Sequence, residues 1–314
     1  MKKTYLFLIS IILIFSLSAC ALFPMPFGNP FVNSGDNSDS ADPNQSIKIP
    51  EATVPAAVIE PEGELGDFYV KITSFELIED YNGDPSILIV YSFTNNSQES
   101  AAAIYEVSTR AYQNGVELSD ALTYSLDNYD SGISMKEIQP GITIDIPCVY
   151  LLSSETAPVE FEIGELFSLD PNIVGDVFEI SESGETVLSR APEGVMDFKV
   201  GAFDVSVVSY RVSKDYDGSS VLILELGVTN NGPNSESFDL SAEINAFQNG
   251  IELSTAYMVD GVDSHTKRAL LRPGAGVAVY YCFTLSDESP VDFELSELIS
   301  FDDTVHTFTV ELDQ

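Results

Sequence analysis

Two histidines, three cysteines and fifty Asp and Glu residues are the groups in this 314-residue chain with chemistry to offer. Ser264 beside His265 suggests a nucleophile and its base. A dipeptide does not make a triad, however, because a triad is a convergence in space. His306 falls in a terminal strand, where a solvated imidazole is expected. Asp215-Tyr216-Asp217-Gly218 has the spacing of part of an acidic calcium loop. With Gly218 at the invariant glycine place, the first ligand would be Ser213 and the twelfth Leu224 instead of Glu; in Asp80-Tyr81-Asn82-Gly83 those places hold Ile78 and Ile89. The reading is therefore a turn, with Glu79, Asp80 and Asp84 left for a weak, irregular calcium site. There is no glycine-rich phosphate loop and no Cys/His metal spacing, and the acids are too dispersed to single out a general acid–base pair. The expectation is a protein that is not an enzyme and carries no cofactor.

The same chemistry-bearing segments occur twice. Asp80-Tyr81-Asn82-Gly83, Thr94-Asn95-Asn96 and Gln113-Asn114-Gly115-Val116-Glu117-Leu118-Ser119 return as Asp215-Tyr216-Asp217-Gly218, Thr229-Asn230-Asn231 and Gln248-Asn249-Gly250-Ile251-Glu252-Leu253-Ser254, all at an offset of 135 residues. Much of this is turn chemistry. Asn-Gly between apolar strands suits a two-residue type I′ hairpin, and Asp-Tyr-x-Gly supplies a turn Asp and a glycine able to take positive φ. Turn chemistry does not account for Tyr81 and Tyr216, Gln113 and Gln248, or Glu117 and Glu252. These six are the candidate contacts for a partner.

The elements around them read as strands. Phe68, Val70 and Ile72 alternate, the phase slips, and Phe75 and Leu77 continue; Phe203, Val205, Val207, Tyr210 and Val212 do the same. A slip at one repeated place predicts a β-bulge. Ser86 to Phe93 and Val221 to Val228 are apolar runs of central-strand length. Pro140-Gly141 and Pro273-Gly274 open the strands holding Cys148 and Cys282, read as near-equivalent, separate buried thiols. Many short strands and no long amphipathic helix predict an all-β chain of two tandem immunoglobulin-like β-sandwiches, residues 64–182 and 196–314, joined by a mobile linker at 183–195. The disulfide and buried Trp of antibody-type domains are not expected, since the chain has no Trp.

The N-terminus reads as an address. Lys2 and Lys3 precede a short apolar run ending in Leu17-Ser18-Ala19-Cys20, a pattern that resembles a bacterial lipoprotein signal. The resemblance implies cleavage after residue 19 and a diacylglyceryl group on Cys20, whose two acyl chains suffice for stable anchoring. Residues 20–63, rich in Pro, Ser, Asp and Gly, read as a disordered tether. The expected location is the extracellular face of the cell membrane. A formal charge of −37 excludes non-specific nucleic-acid binding, which needs Lys and Arg against phosphate.

Together, Asp-Tyr-x-Gly, Thr-Asn-Asn, Gln-Asn-Gly-x-Glu-Leu and Pro-Gly resemble an uncharacterised family of extracellular domains of Gram-positive bacteria, often carried on lipoproteins and similar to immunoglobulin-like secreted antigens of mycobacteria. The resemblance implies a fold and a location, and no reaction. The function expected is non-enzymatic binding or scaffolding of a protein or cell-envelope ligand, with avidity from two linked modules. The alternatives are a calcium-rigidified surface stalk and a carboxylate-dependent envelope hydrolase.

Overall fold

Alternating apolar residues, punctuated by Gly and Asn at positive φ, fold the chain into two β-sandwiches. The computed structural model describes residues 59–123, 130, 132–168, 172–182, 184–300 and 304–312. The segment expected to be a signal, Cys20 and the expected tether up to residue 58 lie outside the described residues.

In the first module, β1 (Glu62–Leu65), β2 (Phe68–Glu79), β3 (Pro85–Asn95) and β6 (Thr143–Leu151) form one antiparallel sheet in the order β1-β2-β3-β6. The facing sheet is built from β4 (Val107–Gln113), β5 (Val116–Glu117), β7 (Val159–Glu165) and β8 (Ile173–Phe178), in the order β5-β4-β7-β8. The second module repeats this with β9 (Met196–Val200), β10 (Phe203–Lys214), β11 (Ser220–Asn230) and β16 (Gly276–Thr284) in the first layer. Its second layer holds β13 (Ala242–Gln248), β14 (Ile251–Glu252), β17 (Val291–Glu297) and β18 (Val305–Val310), while β12 (Glu236–Ser237) and β15 (Leu270–Leu271) are short extra strands. Side chains alternate across each strand, so each pair of layers encloses one core. Val70, Ile87, Phe93, Phe161 and Ile163 fill the first, and Phe203, Leu222, Leu226, Phe238 and Phe293 the second.

The repeated phase slip is a bulge in both copies. Pairing of β2 with β3 skips Thr73, and pairing of β10 with β11 skips Val208. The Thr73 hydroxyl donates to the Val90 carbonyl at 2.9 Å, so the bulge does not strand that acceptor. Beyond the bulge Phe75, Leu77, Tyr210 and Val212 are exposed. β3 and β11 are buried on both faces, and a crossing segment covers the outer side of β11. In the second module Ala256, Val259 and Val262 pack there on Val221, Ile223 and Cys282.

The two cysteines are not equivalent. Tyr150 opposes Ile87 and Phe283 opposes Leu222, so across these strands the offset is 133 residues. On that register Cys148 matches Tyr281, and Cys282 matches Val149. A one-residue shift exchanges the faces of a sheet. Cys148 accordingly lies against the inter-sheet core and Cys282 on the outer cluster, both as free thiols.

Two segments expected to be flexible are held in place. Glu62 and Gly63, placed in the tether by their composition, belong to β1, and the carbonyls of Glu60 and Pro61 accept from Gly175 and Ile72. The expected linker follows the second module's first layer. The Ser189 carbonyl accepts from Gly276, the Val195 amide donates to Val207, and the Pro192 carbonyl accepts from the Ser206 hydroxyl at 3.3 Å. Backbone groups satisfied in this way replace the free hinge that Pro192 and the small residues suggested.

Candidate binding surfaces

The Asp-Tyr-x-Gly turns are built by their first aspartate. Asp80 Oδ1 accepts from the amides of Asn82 at 2.7 Å and Asp84 at 2.9 Å, and Asp215 Oδ1 accepts from Ser219 at 2.8 Å. Gly83 and Gly218 close the turns at φ of 87° and 83°. Asp80 and Asp215 thus engage a carboxylate oxygen with backbone amides, and among the described residues no three His, Cys, Asp or Glu side chains gather as a metal site. What the turns do present is a tyrosine: Tyr81 is 49% exposed and Tyr216 85%.

Beside each turn runs an open groove. In the second module it measures about 750 Å³, between Val212, Ser219 and Ser220 on one side and Leu285, Asp287 and Leu312 on the other. In the first it measures about 450 Å³, between Leu77, Pro85 and Ser86 and the facing Leu152, Glu155 and Ile180. The two share one plan: the post-bulge strand, the start of the strand that follows the turn, and the loop after the Pro-Gly strand. Both have an apolar floor and an acidic rim. At the rim of the second groove, hydrogen bonds from the Ser289 hydroxyl and amide hold the Asp287 carboxyl below the usual carboxylate range.

The glutamines take another role. Gln113 is 1% exposed and Gln248 2%. Gln113 Oε1 accepts from the amides of Ser153 and Ser154, while its Nε2 donates to the carbonyls of Ser154 and Ala157. Gln248 does the same for Ser286, Asp287 and Ser289. Each amide clamps the loop before the Pro-Val strand, so neither glutamine is a contact surface; this corrects the sequence expectation.

The hairpins separate the two copies. Both are type I′, with Asn114 at φ 53° and Gly115 at 79°, and Asn249 at 52° and Gly250 at 75°. The first is docked into the second module. Leu271 of β15 pairs with Val116, joining β12 and β15 to β5 in one six-stranded sheet that spans the modules. The Leu270 amide donates to Glu117 Oε2 at 2.9 Å, and the Arg272 amide to the Gly115 carbonyl at 2.8 Å. The Arg272 side chain donates to Glu162 Oε1 at 2.6 Å and Glu160 Oε2 at 3.3 Å, with its guanidinium carbon 4.0 Å from the Tyr112 ring centroid. Burial works against that charge, but Glu162, with Tyr112 and Glu160, offsets it and holds the Arg272 pKa above its usual value. Asn114 adds bonds from the amides of Val187 and Ser189. Glu117 is therefore a joint residue, whereas Glu252 remains on the surface.

His265 and Ser264 also have a local explanation. The His265 amide donates to Asp263 Oδ1, and the His265 carbonyl accepts from Arg268 and Ala269, which turns the chain toward β15. The His306 ring lies tilted against Phe198, centroids 5.2 Å apart, with Nε2 3.0 Å from the Lys199 carbonyl oxygen.

Sequence reading missed Arg272, Tyr112, Glu160 and Glu162. The available signal was a difference between the copies: Leu270-Leu271-Arg272-Pro273-Gly274 stands where the first has Glu137-Ile138-Gln139-Pro140-Gly141.

Comparison with curated proteins found no match. Comparison with family models found one that matches twice, over residues 44–165 and 180–297, described as a domain of unknown function (DUF5067). The matches begin before β1 and β9 and end before β8 and β18.

Proposed function

The chain belongs to the DUF5067 family, in two copies, and from that premise we propose that it is a lipid-anchored extracellular protein that binds a protein or cell-envelope ligand without catalysis, through the two grooves beside Tyr81 and Tyr216. One observation carries the reading: in both modules an exposed tyrosine sits on the turn that joins the two strands lining an open groove with apolar and acidic side chains. A tyrosine offers a large apolar face and a polar tip at low entropic cost, which suits a contact residue. The joint fixes the separation of the grooves. Two weak sites on one body then act at a high effective concentration toward a ligand that reaches both. The N-terminal lipid at Cys20 would place both grooves at the cell surface, and the acidic rims favour a ligand with cationic or hydroxyl groups around an apolar centre.

The test is binding of the 59–314 protein to a suspension of washed, protein-bearing cell envelopes, comparing Tyr81→Ala, Tyr216→Ala and the double variant. Each single change should weaken retention by about tenfold or less, and the double change by more than either. Undiminished retention of the double variant would sink the proposal.

A further inference from the structure

The docked hairpin of the first module has a bare counterpart in the second, and we infer that this counterpart is a docking edge for a strand of another protein that carries two apolar residues followed by arginine. The inference concerns a surface distinct from the grooves and goes beyond them.

The acceptor set recurs in register. In the first module Glu117, Tyr112 and Glu160 lie in one row across β5, β4 and β7, with Glu162 in the adjoining row. In the second, Glu252, Phe247 and Asp292 form the same row across β14, β13 and β17, and Glu294 takes the place of Glu162. The ring under the guanidinium is kept, and so are the carboxylate for the strand amide and the two acids for the side chain. One difference makes the second set more receptive: Arg110, which pairs with Glu117 at 3.6 Å, is replaced by Asn245. Among the described residues no ion pair reaches Glu252, Asp292 or Glu294, and the one bond to Asp292 comes from the Thr309 hydroxyl at 2.7 Å.

The turns show the same contrast. A methyl group on Gly115 would meet Leu188 at 2.7 Å and Ala275 at 2.9 Å, whereas on Gly250 it would meet nothing within 4 Å. Ile251, at the place of the docked Val116, is 71% exposed. Along the open side of β14 no strand pairs among the described residues, so β14 is a short edge carrying an apolar residue and an acid.

The occupant's chemistry follows from the strand that fills the first copy. Leu270 and Leu271 supply the edge, and Arg272 supplies the charge. A second copy of this chain does not supply that strand. Its own Leu270–Arg272 is already engaged, and the matching edge of the first module carries Glu137 and Gln139, which would set acid against acid. The match is fixed by the Asn95 and Asn230 side chains, which donate to the carbonyls of Ile138 and Leu271. Addition of a strand to an exposed edge, with side-chain pockets setting specificity, is a general mode of recognition.

The probe is a fluorescein-labelled peptide with the sequence of residues 265–276, titrated by anisotropy into the intact 59–314 protein, whose first hairpin is already filled. Saturable binding is expected. It should weaken by about fivefold or more when the peptide carries Arg272→Gln, and by a similar factor when the protein carries Glu252→Gln with Asp292→Asn and Glu294→Gln, because two or three charge-assisted bonds are lost at an exposed site. The Tyr81→Ala, Tyr216→Ala protein should bind the peptide as the parent does, which separates this edge from the grooves. No binding at ~1 mM peptide, the weak end of measurable association, would overturn the inference. So would equal affinity for the Gln peptide, or concentration-dependent dimerisation of the protein that competes with the peptide.

Discussion

At the scale of single residues, the repeated letters divide into those facing inward and those facing outward. Gln113 and Gln248 looked like recognition residues because turn chemistry left them unexplained, yet each satisfies four backbone groups of a neighbouring loop. Nothing in the local sequence names the loop that a side chain will clamp some forty residues away. Gln113→Ala should strand those buried groups and lower stability by about 1–3 kcal/mol, read as a fall in melting temperature with the fold retained. A change within the error of the melt would contradict the clamp. Tyr81 and Tyr216, on short solvent-facing turns, were legible as surface residues. Buried ionisable groups set the pH response. Burial pushes the Cys148 thiol from about 9 up to about 11, and raises Tyr91 and Tyr150 well above the usual phenol range. An unfolded chain releases these protons first, so stability is intact at pH 7 and falls as pH rises from about 9 toward 11. Urea midpoints across that window should decline, and Cys148→Ala should flatten the part of the decline that the thiol contributes.

At the scale of elements, periodicity was enough where one face of a strand is buried. The alternation of β2 and β10, their shared bulge and both Asn-Gly hairpins were visible because each follows from a local rule of backbone geometry or side-chain facing. The face on which each cysteine lies was missed because the two were read as near-equivalent: the offset between copies falls from 135 to 133, which keeps the facing of the strand, while Cys148 and Cys282 are 134 apart, one residue from true equivalence. The two hairpins provide the clearest test at this scale. Gly115→Ala and Gly250→Ala carry the same strain, about 1 kcal/mol for a side chain at positive φ. Only Gly115 also forces Leu188 and Ala275 to move. The first variant should lose clearly more stability than the second in matched urea titrations, and equal losses would mean that the first hairpin is not docked.

At the scale of the whole molecule, the duplication produced an asymmetric pair. Charge, the repeat and the all-β architecture were plain in the sequence; the joint was not, since it depends on residues the copies do not share. Arg272 replaces Gln139 and Leu270 replaces Glu137, and these changes let one copy receive the hairpin of the other. The consequence is a two-module body that holds its grooves at fixed spacing while leaving one hairpin edge uncovered. Residue-resolved amide exchange by NMR tests this most directly. If the hairpin is docked, the Leu270 and Arg272 amides, bonded to Glu117 and Gly115, exchange slowly in the parent. They should lose protection in Arg272→Ala, while the amides of Glu137 and Gln139 exchange rapidly in both proteins. Exchange of Leu270 and Arg272 at the rate of Glu137 and Gln139 in the parent protein would contradict the account.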